Sequence, residues 1–214
     1  MKFAELLDIV GDQPVFASSL LRAGDVDAAD TASQLSRWVA GGKLLSLRRG
    51  VYALAEPYRR RDPHAFEVAN VLVRPSYVSL ESALSFHGLI PEAVFSATSV
   101  TTARPATYDT PLGRFDYRHL SPSMFWGYSE ERIGAGAWPT FVARPEKALL
   151  DLVYLRPGAE SAPFLRQLRI DRLGVLDLDV LERDASRTGK PKLVRAARAI
   201  AEMAARQSEE WVTL

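Results

Sequence analysis

The carboxylates of Asp177 and Asp179 have a spacing that occurs in catalytic metal sites. Asp177 and Asp179 flank Leu178, and a D-x-D arrangement on a strand can hold the two metal ions of a nucleotidyl-transferring enzyme. The supporting elements are missing, because no Gly-Ser pair stands shortly upstream and no third acidic residue is obvious. Asp179 is well placed simply to cap a helix that begins at Val180. The pattern favours a structural role for this pair.

Other catalytic signatures are absent from the sequence. It has no G-x-S-x-G elbow, no G-x-x-x-x-G-K-[ST] phosphate loop and no G-x-G-x-x-G motif. There is no cysteine, and the three histidines, His64, His87 and His119, are too widely spaced for HExxH-like metal binding. The sequence therefore predicts a protein that is not an enzyme and that needs neither a metal nor a cofactor.

Positive charge suited to a polyanion is concentrated in two segments. The whole chain has a net charge of +1, yet residues 31–61 hold seven basic residues and one acidic residue, and residues 187–206 hold six and one. A local field of this sign attracts nucleic acid. The second segment is interpreted either as a further DNA contact or as a solvated helix face. The triplet Arg59-Arg60-Arg61 is either a linker that touches DNA or a hydrophilic domain junction.

The elements that would position the first segment are three short helices and a hairpin. Apolar residues at spacings of three and four predict a helix from Phe3 to Val10, and a second short helix is predicted over 17–21, closed near Gly24. A third is expected to begin at Asp30 or Thr31 and to end at the glycine pair 41–42. Two strands, 44–48 and 51–54, follow with a tight turn between them. This order predicts a winged helix-turn-helix over residues 1–58.

A winged helix places its third helix in the major groove and its basic hairpin on the phosphates. Gln34 and Arg37 are the best candidates for reading bases, since both side chains can bond to base edges. The basic residues of the hairpin would contact phosphates. The predicted DNA-contacting residues are Ser33, Gln34, Ser36, Arg37, Lys43, Arg48 and Arg49. Winged helices also serve as protein-interaction modules, and the sequence leaves that alternative open.

Residues 59–214 are predicted to form a second, α+β domain with C-terminal helices. Runs of β-branched and aromatic residues at 96–102, 114–120, 126–131 and 139–142 suggest a small antiparallel sheet of three or four strands. A helix over 144–154 would carry Glu146, Lys147 and Asp151 on its surface. Further helices are expected at about 161–170, 179–186 and 191–207.

Three blocks of the chain, in this order, resemble the AbiEi-type antitoxins of type IV toxin–antitoxin systems. The blocks are Gly42-Lys43-Leu44 through Arg49-Gly50-Val51-Tyr52, then Tyr77-Val78-Ser79-Leu80-Glu81-Ser82-Ala83-Leu84 with His87-Gly88-Leu89-Ile90-Pro91-Glu92, then Pro145-Glu146-Lys147-Ala148-Leu149-Leu150-Asp151. The resemblance runs from about residue 3 to 205.

The resemblance implies a cytoplasmic prokaryotic autorepressor, of a family associated with phage abortive infection. Its N-terminal domain would bind inverted repeats in its own promoter, which requires two copies per site. Its C-terminal domain, residues 59–214, would counteract a nucleotidyltransferase toxin without a stable complex. The family's DNA-contacting positions fall on the seven residues named above.

The residues alone also permit a different regulator. In this alternative the protein is a one-component transcriptional regulator whose second domain senses a small ligand. No stretch approaches the roughly 18 uninterrupted apolar residues of a membrane span, and residues 1–5 lack the features of a signal peptide. Both hypotheses therefore predict a cytoplasmic protein with no membrane partner.

Overall fold

The computed structural model describes residues 1–22, 28–91, 96–133, 138–168, 170 and 173–212. The chain is mixed α/β and contains a three-stranded antiparallel sheet and a six-stranded sheet. None of the helices within the described residues is long and apolar enough to cross a membrane.

The first 58 residues alternate short helices with the strands of the smaller sheet. The elements are α1 (Phe3–Val10), β1 (Val15–Ala17), a 3-10 helix (Ser18–Arg22), α2 (Ala28–Ala40), β2 (Leu44–Arg48) and β3 (Val51–Leu54). The strand order is β1-β3-β2. The predicted first helix and both strands of the hairpin are confirmed at their predicted bounds.

Two predicted helices of this part differ from the structure in type or in bounds. The second, predicted over 17–21, is a 3-10 helix over Ser18–Arg22, and Ala17 belongs instead to strand β1, because β1 pairs with β3. The third helix begins at Ala28, upstream of Asp30 and Thr31, and Thr31 is a buried helical residue instead of a cap. Gly24, the predicted end of the second helix, lies outside the described residues.

The larger sheet has six strands in the order β6-β7-β5-β4-β9-β8. They are β4 (Ser76–Val78), β5 (Ala97–Thr101), β6 (Ala106–Thr110), β7 (Gly113–His119), β8 (Tyr128–Arg132) and β9 (Pro139–Ala143). β4 runs parallel to β9, and β5 runs parallel to β7. The prediction of a three- or four-stranded antiparallel sheet is therefore wrong. β6 was not predicted. It is an edge strand paired with β7, and its sequence has too few apolar residues to stand out as a strand.

Helices pack against this sheet and against one another and supply about half of the main core. They are α3 (Ala65–Leu72), α4 (Leu80–Phe86), α5 (Pro145–Leu155), α6 (Ala162–Gln167), α7 (Leu178–Arg187) and α8 (Pro191–Val212). α3 packs against both sheets, since it contacts β1 as well as β4, β5 and β9. α5 packs against α4, α7 and α8.

The smaller sheet is buried on both of its faces. One face carries Phe16, Leu44 and Leu54 into a cluster with α1 and α2. The other face contributes to the main core of the chain through Val15, Leu47, Val51 and Ala53. Burial of apolar surface therefore holds the hairpin against the remainder of the protein.

Candidate nucleic-acid interface

The outer face of α2 is exposed and consists mainly of small side chains. Leu35 is buried and Trp38 half-buried on the inner face, whereas Ser33, Ser36 and Arg37 are exposed. The remaining exposed positions of the helix are Ala29, Asp30, Ala32 and Ala40. Short side chains leave the backbone of this face open to close approach by another molecule.

Arg37 is the long cation of this face. It lies in the last turn of α2, where a positive charge is favoured by the helix dipole. Its side chain makes no hydrogen bond or ion pair with any other described residue. Within the described part of the chain, no side chain or carbonyl holds this guanidinium.

Gln34, the other predicted base reader, is placed differently. It is half-buried, and its amide faces the first residue of the chain. In the amide orientation that satisfies both groups, its nitrogen donates to the Met1 carbonyl oxygen at 3.0 Å and its oxygen accepts from the Met1 amino group at 3.1 Å. Gln34 thus lies at the side of the exposed face rather than at its centre.

Lys43 lies where the chain passes from α2 into the hairpin. Its backbone nitrogen donates to the Trp38 carbonyl and its carbonyl accepts from Ala55, which ties the helix to β2 and to the segment after β3. Its ammonium lies 4.8 Å from the centre of the Phe3 ring, and the residue is half-buried. The methylene groups of Lys43 are therefore partly packed against the protein, while its ammonium group remains near the surface.

Two neighbouring arginines at the tip of the hairpin have different surroundings. Arg49 is exposed, and its side chain bonds to no other residue among those described. The Arg48 guanidinium donates through Nε to the carbonyl of Leu72 and lies 5.9 Å from the centre of the Tyr108 ring. Leu72 ends α3, which has no basic residue in its last turn, so Arg48 supplies the cation for its terminal carbonyls. Arg48 thus fastens the hairpin to the rest of the protein.

The arginine triplet is also engaged within the chain. Arg59 Nε donates to Asp62 at 2.8 Å, Arg60 pairs with Asp12 at 2.7 Å, and Arg61 makes a two-pronged contact with Glu67 at 2.7 and 2.8 Å. These pairs join the first part of the chain to the start of α3. The geometry favours the interpretation of the triplet as a hydrophilic junction.

The second basic segment contacts aromatic rings and a carboxylate. The Arg187 guanidinium lies 4.6 Å from the centre of the Trp126 ring, and Lys190 Nζ lies 5.0 Å from that of Tyr154. Lys192 and Arg195 each lie 3.7 Å from a Glu160 carboxylate oxygen. Lys192 also donates to the carbonyl of Arg156 at 2.7 Å. Four of the six cations of this segment, Arg187, Lys190, Lys192 and Arg195, are thus engaged within the fold, whereas Arg198 of α8 is exposed.

The prediction that Glu146, Lys147 and Asp151 lie on a helix surface is wrong. Lys147 and Asp151 are 0% exposed and form an ion pair four residues apart on α5. Glu146 is buried and accepts a hydrogen bond from the backbone of Asp177 at 2.9 Å. The sequence carried a signal for this, because apolar residues surround these positions on every side of the helix, and a helix that is apolar all round is buried.

Tyr77 and Ser79 complete this buried polar cluster. The Tyr77 hydroxyl donates to Asp151 at 2.9 Å and the Ser79 hydroxyl donates to it at 2.8 Å. Burial lowers the pKa of Lys147 and raises the pKa of Asp151, while the charge of each opposes the shift of the other. Burial, and then the Asp151 carboxylate, raises the pKa of Tyr77, so its hydroxyl remains a donor. The cluster bonds β4 to α5 and does not reach the solvent.

The D-x-D pair also has a structural role, though not in the predicted way. Asp177, not Asp179, is the N-cap of α7, and its Oδ1 accepts from the backbone of Val180 at 3.0 Å. The helix consequently begins at Leu178, one residue earlier than predicted. The three histidines each contact backbone: His64 accepts from Phe66, and His87 and His119 lie within hydrogen-bonding distance of the carbonyls of Ala143 and Ala103.

The chain matches no protein-family model, and no curated protein matches it. Its function is therefore inferred from its own residues and their geometry.

Proposed function

We propose that this protein is a DNA-binding transcriptional repressor and the antitoxin of a toxin–antitoxin pair. The observation that carries the DNA-binding part is the exposed face of α2, where small side chains surround Arg37. Asp30 lies in the first turn of α2 and Arg37 in the last, so the C-terminal half of the face combines small side chains with a positive charge, as expected of a helix that enters the major groove.

The order of elements in residues 1–58 supports a winged helix-turn-helix. In this proposal α1, the 3-10 helix and α2 are its three helices, and β2 with β3 forms its wing. α2 is then the recognition helix. Ser33, Ser36 and Arg37 face the bases, with Gln34 at the edge of the contact.

The phosphate contacts in this proposal are fewer than the charge of the segment suggests. Arg49 at the tip of the hairpin and Lys43 at its base supply the charges for the DNA backbone. Arg48 acts as a positioning residue, because its guanidinium is bonded to the end of α3. It holds the wing at the angle that α2 requires.

The antitoxin part of the proposal is supported by the three blocks of resemblance to the AbiEi-type antitoxins. Residues 59–214 would counteract a nucleotidyltransferase toxin. The second and third blocks include the hydrogen-bonded residues Tyr77, Ser79 and Asp151, which are buried together. These residues therefore maintain the fold of the antitoxin domain, and the surface that acts on the toxin is formed by other residues.

The DNA-binding proposal is tested by fluorescence anisotropy with DNA from upstream of the gene. The wild type should bind with an affinity that falls as salt rises, and the double variant Arg37→Ala/Arg49→Ala should lose most of this affinity. Lys192→Ala/Arg195→Ala removes the same number of charges from α8 and is the matched control. If both double variants lost affinity for DNA equally, binding would depend on net charge alone. That result would contradict the proposed interface.

The antitoxin proposal has a separate test. Co-expression with the neighbouring reading frame, if it encodes a nucleotidyltransferase, should rescue growth that the toxin alone arrests. Rescue should persist in Arg37→Ala/Arg49→Ala when both genes are driven from a foreign promoter, because neutralisation is assigned to residues 59–214. Failure of the wild type to rescue would refute the antitoxin role while leaving DNA binding intact.

A further inference from the structure

A cleft of about 720 Å³ lies between the first part of the chain and the larger sheet. The cleft is lined by the start of β1 and the 3-10 helix, through Val15 and Leu20, by residues of β8 and β9, and by the second half of α3. Clefts of roughly 300–1,000 Å³ at the junction of two structural units are typical small-molecule sites.

The walls of the cleft are formed by large apolar side chains that remain partly exposed. Leu20, Tyr128, Trp138 and Phe141 are each between 36% and 38% exposed. Exposed apolar groups that gather in one concavity mark a binding surface, whereas isolated ones are ordinary.

The aromatic wall is held in place from behind. Tyr128 stacks on the buried ring of Tyr77 with centroids 4.6 Å apart and contacts Phe141 edge-on at 5.8 Å. Asn70 fixes the β9 edge through hydrogen bonds to the backbone of Phe141. The rings are therefore positioned before a ligand arrives, which lowers the entropic cost of binding.

Among the described residues that line the cleft, one charged side chain has no bonded counter-charge. The charged lining residues are Arg61, Glu67 and Arg74. Arg61 and Glu67 neutralise each other through their two-pronged pair. Arg74 is exposed, and its side chain makes no bond to any other described residue. The cleft thus combines flat apolar walls with a single available guanidinium, which pairs preferentially with carboxylates.

We propose that this cleft binds a small aromatic carboxylate. The carboxylate pairs with Arg74, and the ring lies against Tyr128, Trp138 and Phe141. The inference depends only on the cleft and not on the proposed DNA binding, so either can fail while the other stands.

The test uses naphthalene-2-carboxylate as the probe and naphthalene-2-carboxamide as its neutral counterpart, with binding to the full chain followed by calorimetry and ligand-observed NMR. The wild type should bind the carboxylate at least about tenfold more tightly than the amide, because only the carboxylate forms a charge-assisted pair. Arg74→Gln should abolish this preference, whereas Arg166→Gln, which changes an exposed arginine outside the cleft, should preserve it.

The position of the ring has its own control. Phe141→Ser should weaken both probes, and Phe86→Ser, at an exposed phenylalanine outside this cleft, should weaken neither. Circular dichroism verifies that each variant is folded. The proposal is overturned if the folded wild type binds neither probe saturably, if it binds both equally, or if Arg74→Gln retains the preference. It is also overturned if Phe141→Ser binds both probes as the wild type does, since the ring would then lie elsewhere.

Discussion

Residues 31–61 and residues 187–206 have nearly the same net charge, +6 and +5, but their side chains have different surroundings. Within the first segment Arg37 and Arg49 are exposed and bonded to no other described residue. In the second, Arg198 is also exposed, but Lys190 and Arg187 lie over aromatic rings, and Lys192 and Arg195 lie beside Glu160. Formal charge counted along a sequence therefore overstates what a polyanion can meet, because an arginine already paired within the fold offers less to a phosphate.

The same contrast exists inside the first segment. Arg48 and Arg49 are adjacent at the tip of the hairpin, yet one is bonded to the end of α3 and the other is exposed. The arginine triplet is paired with Asp12, Asp62 and Glu67. Cations that hold the fold together and cations that can contact DNA are thus interleaved, and substitutions can separate the two roles.

The largest effect on stability is expected at Lys147, a cation that is fully buried. Lys147→Met should lower the free energy of unfolding by about 3–5 kcal/mol, because it leaves the Asp151 carboxylate buried without its counter-charge. Urea denaturation measures this. The double variant Lys147→Met/Asp151→Leu should cost much less than the sum of the two single variants. Additive costs would show that the pair is not coupled.

The next effect concerns the two exposed arginines. Arg37→Ala should weaken binding to the specific site by about 1–3 kcal/mol and reduce discrimination against other sequences. Arg49→Ala should weaken binding to all sequences alike and reduce the slope of log affinity against log salt by about 0.9. Anisotropy titrations on specific and scrambled DNA at several salt concentrations distinguish the two. Unchanged affinity for DNA in both variants would show that neither α2 nor the hairpin tip contacts DNA.

Arg48 should differ from its neighbour in stability. Arg48→Ala should lower the free energy of unfolding by about 1–2 kcal/mol, because the carbonyl of Leu72 loses a charged donor. Arg49→Ala should change it by less than about 0.5 kcal/mol, as is usual for an exposed side chain. Thermal unfolding of the two variants side by side provides the comparison. If Arg48→Ala instead lowers the salt slope of DNA binding at unchanged stability, Arg48 is a phosphate contact and not a positioning residue.

The smallest effect is expected on α8. Lys192→Gln and Arg195→Gln should each reduce stability by about 0.2–1 kcal/mol, the range of exposed ion pairs. DNA affinity at moderate salt should change by less than about twofold, since these cations lie outside the proposed interface and distant charges are screened. A larger loss of affinity would establish a second DNA contact on α8.

Local patterns predicted most of the helices and strands correctly. The apolar spacing of residues 3–10 and the glycine that follows place α1, and the Arg49-Gly50 turn between two β-rich runs places the hairpin. These signals depend on residues a few positions apart. β6 was not predicted because its stability comes from pairing with β7 rather than from its own composition.

The candidate interface was predicted only in part. Amphipathic spacing was enough to place Ser33, Ser36 and Arg37 on the outside of a helix. Nothing local distinguishes Arg48 from Arg49, because the partner of Arg48 lies 24 residues away at the end of α3. The partners of Arg60 and of Asp151 are likewise distant in sequence, at separations of 48 and up to 74 residues.

The sequence by itself determined the helices and the hairpin, the concentration of positive charge in two segments, and the exposed polar face of α2, since each of these depends on side-chain type and short-range periodicity. Tertiary structure alone decided the order and the parallel pairings of the six-stranded sheet, the hydrogen bonds of Tyr77 and Ser79 to Asp151, and which arginines remain exposed. The physical reason is that sheet pairing, burial and ion pairing are contacts between distant segments. Their free energies depend on the whole packed arrangement, and that arrangement leaves Arg37 and Arg49 on the surface and encloses Lys147.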